Sequence, residues 1–199
     1  MTDKKNIEQE NTKKNPFLVG KLLVAMPGMS DEQFEKSAIF MCTHDEKGAM
    51  GLIVNEKMPN IDFDQLLSKL KIEQKDELDI TVPVLRGGPL DASRGFVLHG
   101  HDFSRKDTIH VDERFGVTCT IDALKAIAGG TGPQDAILML GYSGWDAGQL
   151  EEELKENSWI IVEADRDILF NTQPADVWRK ALSKIGVNPD MVSHTIGHA

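Results

Sequence analysis

No apolar run in this chain approaches the roughly 20 residues that a membrane helix requires, so no membrane span is expected. The N-terminus, MTDKKNIEQENTKKN, has lysines but no apolar h-region and no small-residue cleavage site. It does not read as a secretory signal, and a cytoplasmic location is expected. Cysteine is scarce too: Cys42 and Cys119 stand alone, each in an apolar or β-branched stretch, FMCT and VTCT. Two cysteines fit no zinc-ligand spacing, and a cytosolic pair is disfavoured as a disulfide. Both are expected to be small core residues.

Positive charge is also in short supply. The formal net charge is −10, and outside residues 1–15 the chain carries 18 Lys+Arg against 29 Asp+Glu. Such a body repels a phosphate backbone, whose neutralisation by clustered Lys and Arg supplies most nonspecific nucleic-acid affinity. Direct DNA binding is therefore disfavoured. Neither of the best amphipathic helices carries a basic face, and no helix-turn-helix spacing is present. There is no P-loop and no G-x-G-x-x-G after a strand, and AGGTGP at 128–133 reads as a connection. No cofactor is expected.

Hydrophobic patterning supplies the elements. A polar tail over 1–15, lacking periodicity, is expected to be disordered, with one domain over 16–199. GKLLVAMPG reads as a strand, and SDEQFE as a helical turn with Ser30 and Gln33 spaced as a capping box. Runs at 37–43 and 49–55, joined by HDEKG, predict a hairpin. NIDFDQLLSKLKI predicts an amphipathic helix with Ile61, Phe63, Leu66, Leu67 and Leu70 on one face. Strands follow in DITVPVLRGGP, RGFVLHG and FGVTCTI, with Pro83 placing the first at an edge or delaying its start. His101 to Glu113 reads as a polar connection. DALKAIAGG, AGQLEEELKEN and PADVWRKALSKIG read as helices, AILMLGYS and WIIVEA as strands. Four helical segments among about eight strands argue a mixed α+β fold, largely antiparallel.

Two constellations could carry chemistry. GYSGW, residues 141–145, approximates the G-x-S-x-G nucleophile elbow, but the bulky Trp145 stands where the motif needs its last glycine. Ser143 is better read as the cap of the coming helix, with Trp145 packed under its first turn. A strand ending in a glycine turn at a helix N-terminus would present N–H groups to a small anionic ligand, an electropositive end tempered by Glu151, Glu152 and Glu153. The second constellation is VLRGGPLDASRGFVLHGHD. Arg86 and Arg94 flank the turn containing Gly88, and their guanidinium groups suit a carboxylate or phosphate. With so many acids available, ion pairing within the chain is the favoured reading of both. His99 and His101 share a strand face, and His194 and His198 would sit one helical turn apart, but neither pair has a third ligand at fixed spacing. No metal site is expected, and His99 reads as a polar group at a strand end.

In order, GKLLVAMPGMSDEQFEKSAIFMCTH, GAMGLIVN, RGGPLDASRGFVLH, GYSGWDAGQLEEELKENSW, ILF and VWRKALSKIG resemble the YqgE/AlgH family of bacterial proteins over roughly residues 16–199. The resemblance implies a small cytosolic protein with no established activity, often labelled a transcriptional regulator. It implies an α+β fold of mixed β structure with a small barrel-like part surrounded by helices. It transfers no catalytic residues. The function expected is a binding or interaction module for an unknown protein or a small anionic ligand, with Arg86, Gly88, Arg94, His99, Ser143 and Trp145 as candidate contacts. A regulator acting through a partner and an enzyme using the RGGP and GYSGW region are the alternatives.

Overall fold

The structure, a computed structural model, describes residues 17–29, 31–75, 81–119 and 121–188. The polar tail expected over 1–15, Ser30, His194 and His198 lie outside the described residues. In chain order the strands are β1 (Lys21–Ala25), β2 (Ala38–Asp45), β3 (Gly48–Ile53), β4 (Val84–Arg86), β5 (Leu90–Gly100), β6 (Thr108–His110), β7 (Phe115–Thr118), β8 (Ala136–Asp146) and β9 (Trp159–Glu163). The helices are α1 (Phe63–Lys69), α2 (Ile121–Ala128), α3 (Gln149–Lys155), α4 (Arg166–Phe170) and α5 (Pro174–Lys184).

Local chemistry sets the ends of these elements. Asp62 caps α1 and forms a reciprocal capping box with Gln65, one turn into the helix. The short 3-10 turn Glu32–Phe34 is capped by Asp31, whose carboxylate accepts from the Gln33 N–H. Pro174 opens α5, where its missing N–H costs nothing. β4 begins directly after Pro83, so the proline does delay the strand. Two elements escape the sequence reading: β6 lies in the stretch expected to be a polar connection, and α4 follows β9 after a two-residue gap.

The strands form one curled sheet in the order β6-β7-β5-β8-β3-β2-β1-β9, antiparallel throughout except that β4 pairs in parallel with β8. The long strand β8 joins the two halves. Its first part pairs with β5 on one side and β4 on the other, from Val84↔Leu138 to Arg86↔Leu140. Its second part pairs with β3, from Gly51↔Ser143 to Gly48↔Asp146. At the fork between β3 and β4, Gly87 donates its N–H to the Leu140 carbonyl and accepts from the Ile53 N–H, both at 2.8 Å.

Three apolar clusters follow from the period-2 alternation of the strands. The inner face gathers Leu22, Phe40, Leu52, Leu85, Phe96, Leu98 and Met139 from across the sheet, closed by Leu169 of α4 and Trp178 and Leu182 of α5. Outside, α1 and α2 cover Val84, Val97, Leu138 and Leu140. On the outer face of the other half, Leu150 of α3 packs with Ile39, Met41, Ile53, Trp145 and Trp159. Each fully buried side chain of this size contributes about 1.5–3 kcal/mol. The result is the α+β, half-barrel arrangement with flanking helices that the resemblance implied.

Candidate functional site

The strand expected to end at Ser143 runs through the whole GYSGW segment. Residues 141–145 continue β8 as far as Asp146, and α3 begins only at Gln149 after Gly148. Ser143 therefore caps nothing, which corrects the sequence reading. The cap position belongs to Gly148, with no side-chain bond. The helix N-terminus at which an anion site was expected therefore lies at Gly148, five residues beyond Ser143, and not at the GYSGW segment itself.

Ser143 is 1% exposed, and its Oγ has no hydrogen-bond partner. Its register partner Gly51 has its missing Cβ directed at Ile39 and Met41, which places the hydroxyl among outer-face apolar groups. With no base in reach it has no means of activation.

The glycines beside it serve packing. A Cβ on Gly88 would collide with the backbone of Tyr142 and the nitrogen of Ser143, so the RGGP turn lies directly on β8. Gly141, at φ +77°, faces the Gly88 and Leu90 carbonyls from the other strand. These two motifs interlock backbone to backbone. Trp145 is 6% exposed, packs with Leu150 of α3 and donates its indole N–H to Glu153 Oε2 at 2.9 Å. Trp159 donates to the same oxygen at 2.7 Å, a contact that nothing in the local sequence announced.

Arg86 and Arg94 do not converge. Val84 belongs to the outer cluster and Leu85 to the inner one, so alternation turns Arg86 outward. There it pairs with Glu56 at 3.1 Å, in a hollow shared with Lys36 and Asn55. Arg94 stands over the inner-face ring of Phe96 at 5.2 Å. Arg86 thus fulfils the ion-pair reading, whereas the contact of Arg94 is with an aromatic face and not with an acid.

His99 is fully buried and closes a hydrogen-bond chain. Its Nδ1–H donates to the Gly100 carbonyl at 2.7 Å, and its Nε2 accepts from the Thr118 hydroxyl at 2.9 Å. Thr118 in turn accepts from Thr108 at 2.6 Å. Burial holds the imidazole pKa below the ordinary range, so the ring is neutral at pH 7. This is a satisfied core histidine; His101, expected beside it on a strand face, follows β5 in an exposed turn. Among the described residues no three His, Cys, Asp or Glu side chains gather where a metal could be held.

The cysteines divide. Burial pushes the Cys42 thiol far above its usual range, whereas Cys119 is only half-buried and lines an apolar groove between α1, α2 and β5. Cys119 therefore departs from the expected core position.

A sizeable cavity lies elsewhere among the described residues, at the mouth of the curled sheet. It measures about 530 Å3 and is walled by the inner-face residues Val54, Leu85 and Ile137, by Leu169 and Phe170 of α4, and by the connection at 130–135. A neighbouring chamber of about 350 Å3 shares Gln134, Asp135 and Phe170 with it. Between the two, Arg166 binds Asp135 with two guanidinium nitrogens, one of them at 3.0 Å from Oδ1. The partition thus consists of an exposed ion pair, an exposed glutamine and one aromatic ring. None of the sequence-derived candidates lines this mouth.

Comparison with known proteins adds a family. A model described as AlgH-like matches residues 22–190. A UPF0301 protein of Bradyrhizobium sp. is 47% identical over 197 residues, covering 96% of this chain and 91% of the relative. One from Methylobacterium nodulans is 48% identical over 190 residues, covering 92% and 90%. The solution structure of the AlgH protein from Pseudomonas aeruginosa aligns over 100% of both chains at 34% identity and a TM-score of 0.75. A Corynebacterium diphtheriae protein, at 19% identity and a TM-score of 0.68 over 87% of this chain and 90% of its own, shares the fold.

Proposed function

The chain belongs to the AlgH-like family, and from that premise we propose that it is a binding module, not an enzyme, receiving a small molecule at the mouth of the curled sheet. The observation that supports this reading is the adjoining pair of cavities, about 530 and 350 Å3, with inner-face aliphatic side chains at the floor and polar groups at the rim. Ligand pockets commonly span about 300–1,000 Å3 with this division of lining.

Among the described residues the enzymatic alternative finds no constellation. Catalysis by a serine requires a base within hydrogen-bond reach and a site where a substrate atom can sit, and sealed Ser143 has neither. Its candidate partners Arg86, Arg94 and His99 are each engaged elsewhere. Direct DNA binding finds no support either: Lys180 and Lys184 of α5 pair with Asp167 and Asp165, and the net charge of −10 opposes a phosphate backbone.

The test is a titration of the methyl-labelled protein with hexanol, followed by NMR. Saturable shifts at Val54, Leu85, Ile137 and Leu169 are expected. Shifts confined to the surroundings of Arg86 and Ser143, or no saturable shift, would overturn the reading.

A further inference from the structure

We propose that the ligand of this mouth is a small organic cation with an apolar body, an inference that rests on the mouth being the binding site. The outer chamber carries more negative than positive charge. Four carboxylates line that chamber, Asp102, Glu113, Asp135 and Asp165, against the guanidinium groups of Arg114 and Arg166.

Both guanidinium groups are already taken. Arg166 is held by Asp135, and Arg114 by Asp112 at 2.6 Å, with a further bond from Arg114 to the Ala164 carbonyl at 2.7 Å. Asp165 is matched from outside by Lys184. Asp102 accepts the backbone N–H of Gln134 at 2.9 Å and meets Arg166 only through space, and Glu113 has no ion-pair partner among the described residues. Two carboxylates, both exposed, therefore remain without a direct ion pair in this concave site.

The neighbouring wall suits the same ligand. Phe170 lines both chambers, tilted at 49° to Phe115, and an aromatic face attracts a desolvated cation. Beyond it, Val54, Leu85, Ile137 and Leu169 offer an apolar floor. An alkylammonium head beside Asp102 and Glu113, with its carbon chain passing Phe170 into the larger cavity, uses each of these groups. An anionic head would meet unpaired carboxylates and arginines already occupied. His101 also lines the chamber.

The experiment compares hexylammonium, hexanol and hexanoate as probes of equal chain length, titrated into the full chain at pH 8 and low salt, with mouth methyl shifts as readout. Hexylammonium is expected to bind about 5–10-fold more tightly than hexanol, as two exposed charges acting together warrant, and hexanoate more weakly than either. In the double variant Asp102→Asn, Glu113→Gln, hexylammonium should fall to within about twofold of hexanol. Hexanol binding should be unchanged there, which also reports that the variant is folded. Equal binding of hexanol and hexylammonium by the unmodified protein, tighter hexanoate binding, or an ammonium preference that survives the double substitution would overturn the cation assignment while leaving the mouth as the site. If none of the three probes moves the mouth methyls, the site itself is wrong.

Discussion

Trp145 and Trp159 meet edge to face with ring centroids 6.3 Å apart, and both donate their indole N–H to one oxygen of Glu153. Gln149 adds a bond to the second oxygen at 3.0 Å. One carboxylate on α3 thereby satisfies donors from β8 and β9 and fixes the helix over the outer face.

Removing that carboxylate strands two buried donors. Glu153→Ala is expected to cost about 1–3 kcal/mol, the usual penalty for leaving buried polar groups unpaired, moderated by the partial exposure of the glutamate. Urea unfolding should show a lower midpoint with an unchanged slope. Glu153→Gln, which keeps one acceptor oxygen, should cost less.

Ser143 gives the opposite expectation. Its hydroxyl is buried without a partner, so Ser143→Ala relieves a desolvated polar group and should leave stability unchanged or raise it by up to about 1–2 kcal/mol. A large loss of stability in urea would show that the hydroxyl has a partner after all.

The interlocking of the RGGP turn with β8 predicts a contrast between two glycines. Gly88→Ala drives a Cβ into the Tyr142 backbone and should cost about 2–4 kcal/mol. A Cβ at Gly95 would meet only the Leu138 and Leu140 side-chain ends at 3.8 Å, so Gly95→Ala should cost under about 1 kcal/mol. Equal midpoints for the two variants would refute the close packing.

His99 carries a pH dependence of definite sign. Burial lowers its pKa in the folded state below 6.5, so between the folded and unfolded pKa values the unfolded chain binds more protons. Its contribution is complete above about pH 6.5 and declines as pH falls below that. Unfolding midpoints at pH 7.5 and 5.5 should fall more steeply for the unmodified protein than for His99→Gln.

The alternation of Leu22, Val24, Phe40 and Leu52, and the three- and four-residue spacing of the apolar face in α1 and α5, made the strands and longer helices readable, because burial on one face writes a period into the sequence. Five-residue α4 and three-residue β6 are too short to write one. β8 runs past the end expected at Ser143 for a different reason. Gly141, Ser143 and Gly144 are turn residues by local preference, but the approach of Gly88 and the pairing with β3 impose strand there. The mouth was illegible altogether: Val54, Leu85, Gln134, Ile137 and Phe170 come from separate segments and share no motif. Only the curl of the sheet brings them together.

Gln134 offers the sharpest test of where binding occurs, since it is exposed, lines both chambers and uses only its backbone in the Asp102 bond. Hexanol affinity, read from the mouth methyls, should be at least about tenfold weaker in Gln134→Trp, whose indole fills the shared wall, and unchanged in Ser143→Ala. Full affinity in Gln134→Trp together with loss in Ser143→Ala would contradict the account and return the site to the GYSGW strand.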